Sequence, residues 1–152
     1  QNLDKTFQQT RYFFFAERNF HLKGNHYFNM KAESAMLDSD GEITTNELFR
    51  IGGYNSLRGF NEQSLFTDFY AFGGVEYRYL VSNQAFFDVF GQLANVRNST
   101  LKTTSKLYSF GLGFNFLLPI GLMTFQISNG QEFNNPFKFQ DTKIHWGIIS
   151  KF

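Results

Sequence analysis

Three features of the sequence predict an all-β fold: a transmembrane antiparallel β-barrel, of which this chain supplies part of the wall. Among 152 residues, 22 are Phe and 7 are Tyr, yet the mean hydropathy is −0.31, so large apolar groups are interleaved with polar ones. The interleaving has a period of two over most of the chain, as in a sheet with one apolar and one wet face. The connections between alternating stretches are short and long by turns, and tight turns at one mouth with longer loops at the other are the habit of membrane barrels.

Taken in order, residues 7–22 alternate, but both faces carry Phe, so composition does not orient this strand. Lys23-Gly24-Asn25 supplies a tight turn. Beyond it Phe28, Met30, Ala32, Ser34 and Met36 separate cleanly from Asn29, Lys31 and Glu33. Residues 38–68 have no sustained alternation, and so long a connection in a compact domain points to function. Alternation resumes near Phe69, where Val75, Tyr77 and Tyr79 oppose Glu76 and Arg78, and Ser82-Asn83-Gln84 turns the chain. In the next strand Asp88 is the one charge in an apolar run, and a lone carboxylate there requires a partner or water. Residues 96–105 read as an exposed loop. Tyr108, Phe110, Leu112, Phe114 and Phe116 then form an apolar stripe against Ser109, Gly111, Gly113 and Asn115. Pro119-Ile120-Gly121 turns back into a strand with Met123, Phe125 and Ile127 on one face. A loop over residues 129–142 precedes a last strand in which Ile144, Trp146, Ile148, Ser150 and Phe152 share a face.

This gives seven strands in one domain spanning 1–152, with one long loop at about 38–68 expected to fold into the lumen. No stretch approaches the ~18 consecutive apolar residues of a membrane-spanning helix, so any crossing is by strands. A net charge of +1 gives no field suited to nucleic acid. Cysteine is absent, which removes disulfides and thiolate metal sites. Seven strands leave two open edges, which lipid does not tolerate. The expectation is therefore a larger barrel completed by residues upstream or by another chain.

The chemistry-bearing stretch is Gly52-Gly53-Tyr54-Asn55-Ser56-Leu57-Arg58-Gly59-Phe60. Its glycines permit a fold-back, and Arg58 is a permanent cation delivered by that fold-back. Glu76 and Asp88 fall on the polar face of neighbouring strands, and a guanidinium's fork of donors suits bridging two carboxylates. The stretch resembles the signature loop of the BamA/TamA superfamily of outer-membrane assembly and translocation barrels, which also includes two-partner secretion transporters and bacterial surface antigens. Two strands before the motif and five after it match the sixth extracellular loop of a barrel of about sixteen strands. The chain would then be the C-terminal part of that barrel.

The resemblance implies that Gly52, Gly53, Ser56, Leu57, Arg58, Gly59 and Phe60 form an inward loop motif whose arginine meets lumen carboxylates, here Glu76 and Asp88. One departure is that Gly91 stands farther after Asp88 than the family's glycine usually does. Ile144, Trp146, Ile148 and Phe152 look like the terminal-strand signal read by the assembly machinery. The implied protein is non-enzymatic, without cofactor or metal, in the outer membrane of a Gram-negative bacterium. Its implied partners are outer-membrane lipid and lipopolysaccharide, the rest of the barrel, and client outer-membrane or secreted polypeptides. The alternatives are a passive porin or receptor, and a membrane anchor for an upstream catalytic domain such as a patatin-like lipase.

Other patterns carry less. Asp38-Ser39-Asp40-Gly41-Glu42-Ile43, with Glu47, imitates an EF-hand loop, but aligning Gly41 at the sixth position puts Met36 at the first ligand position. His21, His26 and His145 lack metal-ligand spacing, and there is no Gly-x-Ser-x-Gly nucleophile elbow.

Overall fold

The computed structural model describes residues 8–149. Nine strands follow in chain order: β1 Gln9–Lys23, β2 His26–Ser39, β3 Phe49–Ile51, β4 Leu65–Thr67, β5 Phe69–Ser82, β6 Ala85–Asn98, β7 Thr103–Leu118, β8 Gly121–Glu132 and β9 Lys143–Ile149. Seven of them make one antiparallel sheet in the order β1-β2-β5-β6-β7-β8-β9, while β3 and β4 pair only with each other. The sheet is an open piece of barrel wall with β1 and β9 at its edges.

Tight turns at Gly24, Asn83 and Pro119 join the strands at one end, and Gly24 takes a φ of +56° that suits its lack of a side chain. At the other end the strands run farther than the alternation predicts. Residues 96–98 and 103–105, expected in an exposed loop, extend β6 and β7, leaving residues 99–102 as the connection. Their polarity misleads because this end carries side chains that pair at the rim instead of meeting lipid. Residues 129–132 likewise extend β8, and residues 139–141 form one 3-10 turn.

Pairing also orients β1. Phe13 lies opposite Ala35, and Glu17 opposite Lys31, so Arg11, Phe13, Phe15 and Glu17 share the face of β2 that carries Lys31 and Glu33. That face is the lumen side, because residues 40–68 fold back over it. Phe49 of β3 packs edge-on between Phe13 of β1 and Tyr70 of β5, with ring centroids 5.4 and 5.7 Å away. Ile51 and Leu57 join Ala35, Tyr70, Phe72, Ala94, Val96 and Leu107 in one buried cluster, flanked by Phe49, Phe60 and Leu65. The opposite face exposes Phe87, Leu93, Leu112, Phe125, Ile144 and Trp146. The alternation of the sequence is thus divided between a lumen face sealed by the chain's own loop and an outer apolar face.

The root of the loop is held separately at the rim. Asp68, 1% exposed, accepts from Arg97 Nε at 2.8 Å and Nη2 at 2.7 Å through Oδ2, and from the Ser99 N–H at 2.5 Å through Oδ1. Its backbone bridges Leu37 of β2 and Arg97 of β6. Burial opposes the charge on Asp68, but the Ser99 N–H and the Arg97 guanidinium outweigh it and hold the carboxyl below its ordinary range. A depressed folded-state pKa stabilises above the unfolded value of about 3.9, and this contribution is lost as the pH falls through the lower folded value. Proteolysis within residues 40–67 is therefore expected to stay slow down to about pH 4 and to accelerate below it. Asp68→Asn should raise the neutral-pH rate and flatten that acid dependence, with cleavage followed by mass spectrometry.

Candidate functional site

The inward loop is shaped by its own short hydrogen bonds. Gly52 and Gly53 hold φ values of +111° and +94°, which side-chain-bearing residues rarely adopt. The Gly53 N–H donates to the Leu57 carbonyl at 3.1 Å, the Ser56 N–H to the Gly53 carbonyl at 3.3 Å, and the Gly52 N–H to Ser56 Oγ at 2.9 Å. Ser56 thus ties the start of the turn to its middle. Leu57, 0% exposed, plugs into the apolar cluster and fixes the direction in which Arg58 leaves the turn.

Arg58 crosses from that cluster into the polar part of the lumen. Its Nη1 lies 2.7 Å from Glu76 Oε2, and its guanidinium carbon stands 3.5 Å from the centre of the Phe90 ring. One carboxylate at the side and one aromatic face are a good match for a planar cation. Glu76 is shared, because Arg78 Nε pairs with its other oxygen. The Arg58 N–H donates to Gln92 Oε1 at 2.9 Å, and Gln92 Nε2 donates to the Ser56 carbonyl at 3.2 Å, so a single side chain of β6 clasps both sides of Leu57.

Asp88 differs from the expectation of a second direct partner. Its Oδ2 accepts from Asn115 Nδ2 at 2.5 Å, and among the described residues Arg58 forms an ion pair with Glu76 alone. Asn115 is the partner that the lone carboxylate requires, and it lies on β7, the next strand along. The glycines of β7 make room for side chains of β6. Gly113 lies opposite Asp88 and Gly111 opposite Phe90, and a Cβ on Gly111 would stand 2.6 Å from Phe90 Cε1. Gly74 of β5 lies opposite Gln92 and would clash with its Cγ at 2.8 Å. Each large inward residue of β6 that faces the motif has a glycine as its cross-strand neighbour.

Close approach of the loop itself occurs at β8. Gly59, at φ +86°, lies so near the wall that a Cβ would stand 2.7 Å from the Asn129 carbonyl carbon and the Gly130 nitrogen. Phe60 then covers Gly130, where a Cβ would meet its ring at 2.5 Å. Of the motif residues Gly52, Gly53, Ser56, Leu57, Arg58, Gly59 and Phe60, Arg58 is the one bonded to Glu76, while Leu57 sits in the apolar cluster, Gly59 and Phe60 pack on β8, and Asp88 bonds to Asn115. Ile144, Trp146 and Ile148 lie apart from them, on the outer face of β9, and Phe152 is outside the described residues. Glu47, of the EF-hand-like stretch, spends its carboxylate on the Thr44 N–H and hydroxyl and on Gln9. Sequence reading passed over Phe90, Gln92, Arg78 and Asn115. For Phe90 and Gln92 the signal was cross-strand pairing of a bulky inward residue with a glycine, Gly111 and Gly74 respectively; Arg78 and Asn115 have no glycine opposite and carried no such signal.

An open antiparallel sheet with an aromatic outer face, lined by a loop folded into its lumen, defines a part of a membrane β-barrel wall. The model of the Omp85 superfamily domain matches residues 3–152, and the chain belongs to that superfamily of outer-membrane barrels engaged in protein insertion and transport. A search of curated proteins finds no match.

Two variants probe how the loop is held. Arg58→Ala removes the ion pair, the ring stacking and nothing from the wall, so cleavage within residues 40–67 should accelerate while the barrel stays folded. Asp88→Ala should act more weakly, since its bond goes to Asn115. Gly59→Ala should cost more than about 1 kcal/mol and loosen the loop as Arg58→Ala does, although every charge is intact. Equal acceleration in the Asp88 and Arg58 variants, measured by limited proteolysis, would count against this ranking.

Proposed function

We propose that the protein is an outer-membrane barrel of the BamA/TamA type in a Gram-negative bacterium, where it inserts other β-barrels or passes polypeptide across the membrane without enzymatic chemistry. The observation that carries this reading is the loop anchored through Arg58 to Glu76, Phe90 and Gln92, which ties the inward loop to adjacent strands. A loop so held acts as a brace: it keeps β5 to β8 ordered while another part of the barrel moves. Membership of the superfamily supports the same reading.

The moving part in this proposal is the edge at β9. That strand pairs with β8 from Ser128↔Lys143 to Leu122↔Ile149, and its other edge is unpaired among the described residues. An unpaired edge in lipid must be met by another strand, either one closing the barrel or an incoming client strand paired by β-augmentation. Glu76, Asp88 and the loop motif then serve as bracing residues, and Ile144, Trp146 and Ile148 as the lipid-facing side of the strand that opens. Strands beyond this sheet would complete a barrel of about sixteen.

The test is to reconstitute the full-length protein in liposomes and follow the folding of an unfolded β-barrel client by its electrophoretic shift. Faster client folding is expected, reduced in Arg58→Ala at unchanged barrel content. A steady ion conductance with no gain in client folding, insensitive to Arg58→Ala, would instead identify a passive pore.

A further inference from the structure

The connection between β8 and β9 does not project away from the barrel. It folds down over the outer face of the wall. Asn129 and Gln131 pair with Phe110 and Tyr108, which places all four on the side away from the lumen, yet Asn129 and Gln131 are only 4% and 6% exposed. What covers them is the connection itself. Asn129 Nδ2 donates to the Lys138 carbonyl at 2.9 Å and to Thr142 Oγ1 at 3.1 Å, and Gln131 Nε2 donates to Asp141 Oδ2 at 2.9 Å. The aromatic side chains of the connection extend the outer face: Phe133 packs edge-on against Tyr108 at 5.3 Å, and Phe137 stacks on Phe110 at 5.8 Å. Phe139, against Phe137 at 5.0 Å, is 83% exposed.

The depth of this arrangement follows from strand length. A strand crosses the bilayer in about 9–11 residues. Counted from the tight turn at Leu118–Gly121, that length ends near Tyr108 and Phe110 on β7 and near Asn129 and Gln131 on β8. The polar pair therefore falls at the outer boundary of the hydrocarbon, where an unsatisfied amide is costly, and where aromatic side chains concentrate in barrels of this kind.

We propose that residues 133–141 are a membrane anchor, seating Phe137 and Phe139 among the acyl chains of the outer leaflet beside the headgroups. The occupant is lipid because the patch is continuous with the outer apolar face: Phe137 rests on Phe110, itself one of the lipid-facing stripe, with Leu112 next along it. The Lys138 carbonyl and the side chains of Asp141 and Thr142 turn inward onto Asn129 and Gln131, leaving the rings on the outside. The anchor is joined to the start of β9, so it holds the outer end of the edge strand at the membrane surface. This inference rests on the membrane placement in the proposed function.

Site-directed spin labelling of the full-length protein in liposomes separates the two ideas. This chain has no cysteine, so once any cysteine elsewhere in the protein is replaced, Phe139→Cys, Leu112→Cys and Leu101→Cys each carry one nitroxide. Leu112 is an outward mid-strand position, and Leu101 lies in the neighbouring outer connection; both are exposed, so labelling should leave the fold intact. Position 139 is expected to behave like 112, relaxed more by oxygen than by a polar nickel complex, with the reverse at 101. A label at 139 that behaves like the one at 101, or that neither reagent reaches because a protein covers it, overturns the anchor while 112 remains lipid-exposed. If 112 also favours the nickel complex, the membrane placement itself fails.

Discussion

The position of the Arg58 guanidinium is the constraint on which the interior depends. A planar cation on the lumen side of a barrel wall must be placed against a carboxylate and something flat, or remain hydrated. Here Glu76 and the ring of Phe90 provide both, and each needs support in turn. Phe90 can lie flat under the cation because Gly111 faces it across the ladder, and Glu76 is held in place by Arg78. The ion pair is only partly buried, so its contribution lies in fixing geometry more than in net stability. Removing one partner is costly chiefly because it leaves the other charge in a confined place.

Around that cation the lumen divides into two layers. Toward the rim, Leu57, Ile51 and Phe49 complete an apolar cluster with Tyr70, Phe72 and Val96, which resembles a small globular core. Toward the tight turns the lining is polar. Glu17 and Asn19 of β1 accept from Asn29 of β2 at 2.7 and 2.9 Å, and Asn19 also accepts from Arg78 at 3.4 Å. Arg78 reaches Glu76, and Glu76 reaches Arg58. A continuous chain of hydrogen bonds thus connects the edge strand β1 to the loop and, through Gln92, to β6. It borders a cavity of about 890 Å³ that also touches Tyr54, Lys31 and the turn at Pro119. The apolar layer orders the loop without strong directionality, while the polar layer sets its register. Motion at β1 would be felt at Arg58 through at most a few hydrogen bonds.

Much of this was legible in the sequence, for identifiable reasons. The strong period-two stripes at Phe110 to Phe116 and Phe28 to Met36 could be assigned to faces at once, because lipid and lumen impose opposite demands on neighbouring residues. Register was also accessible wherever a connection is symmetric: the turn at Lys23-Gly24-Asn25 has the same midpoint as the ladder it closes, in which His21 faces Tyr27. The loop assigned to residues 96–105 was too long, yet it shares its midpoint with the ladder in which Asn98 faces Thr103. Between β2 and β5 this logic fails, since a connection of nearly thirty residues leaves the pairing of Met36 with Phe69 undetermined by a residue. The faces of β1 were illegible for a different reason. Phe13 points into the lumen against Phe49 of the returning loop, and Phe15 shares that face beside Lys31. A Phe facing a protein interior cannot be told from a Phe facing lipid by composition.

The partnership of Asp88 shows the same boundary between pattern and geometry. Sequence placed two carboxylates on the arginine's side of the wall, and a guanidinium can in principle serve both. What decides between them is the pleat and the stagger of neighbouring strands. Asp88 lies opposite Gly113, whose missing side chain opens the space into which its carboxylate turns, toward Asn115 and away from the loop. Arg58 enters nearer to Glu76, directed by Leu57 and by the Gln92 clasp on its backbone. The two carboxylates are therefore not equivalent. Glu76 meets the loop directly, whereas Asp88 joins β6 to β7 beneath it and acts on Arg58 through the field rather than through a bond. That division couples three strands of the wall to one loop while placing a single acidic group against the cation, and it leaves the loop's position set by packing at Leu57 and Gly59 as much as by charge.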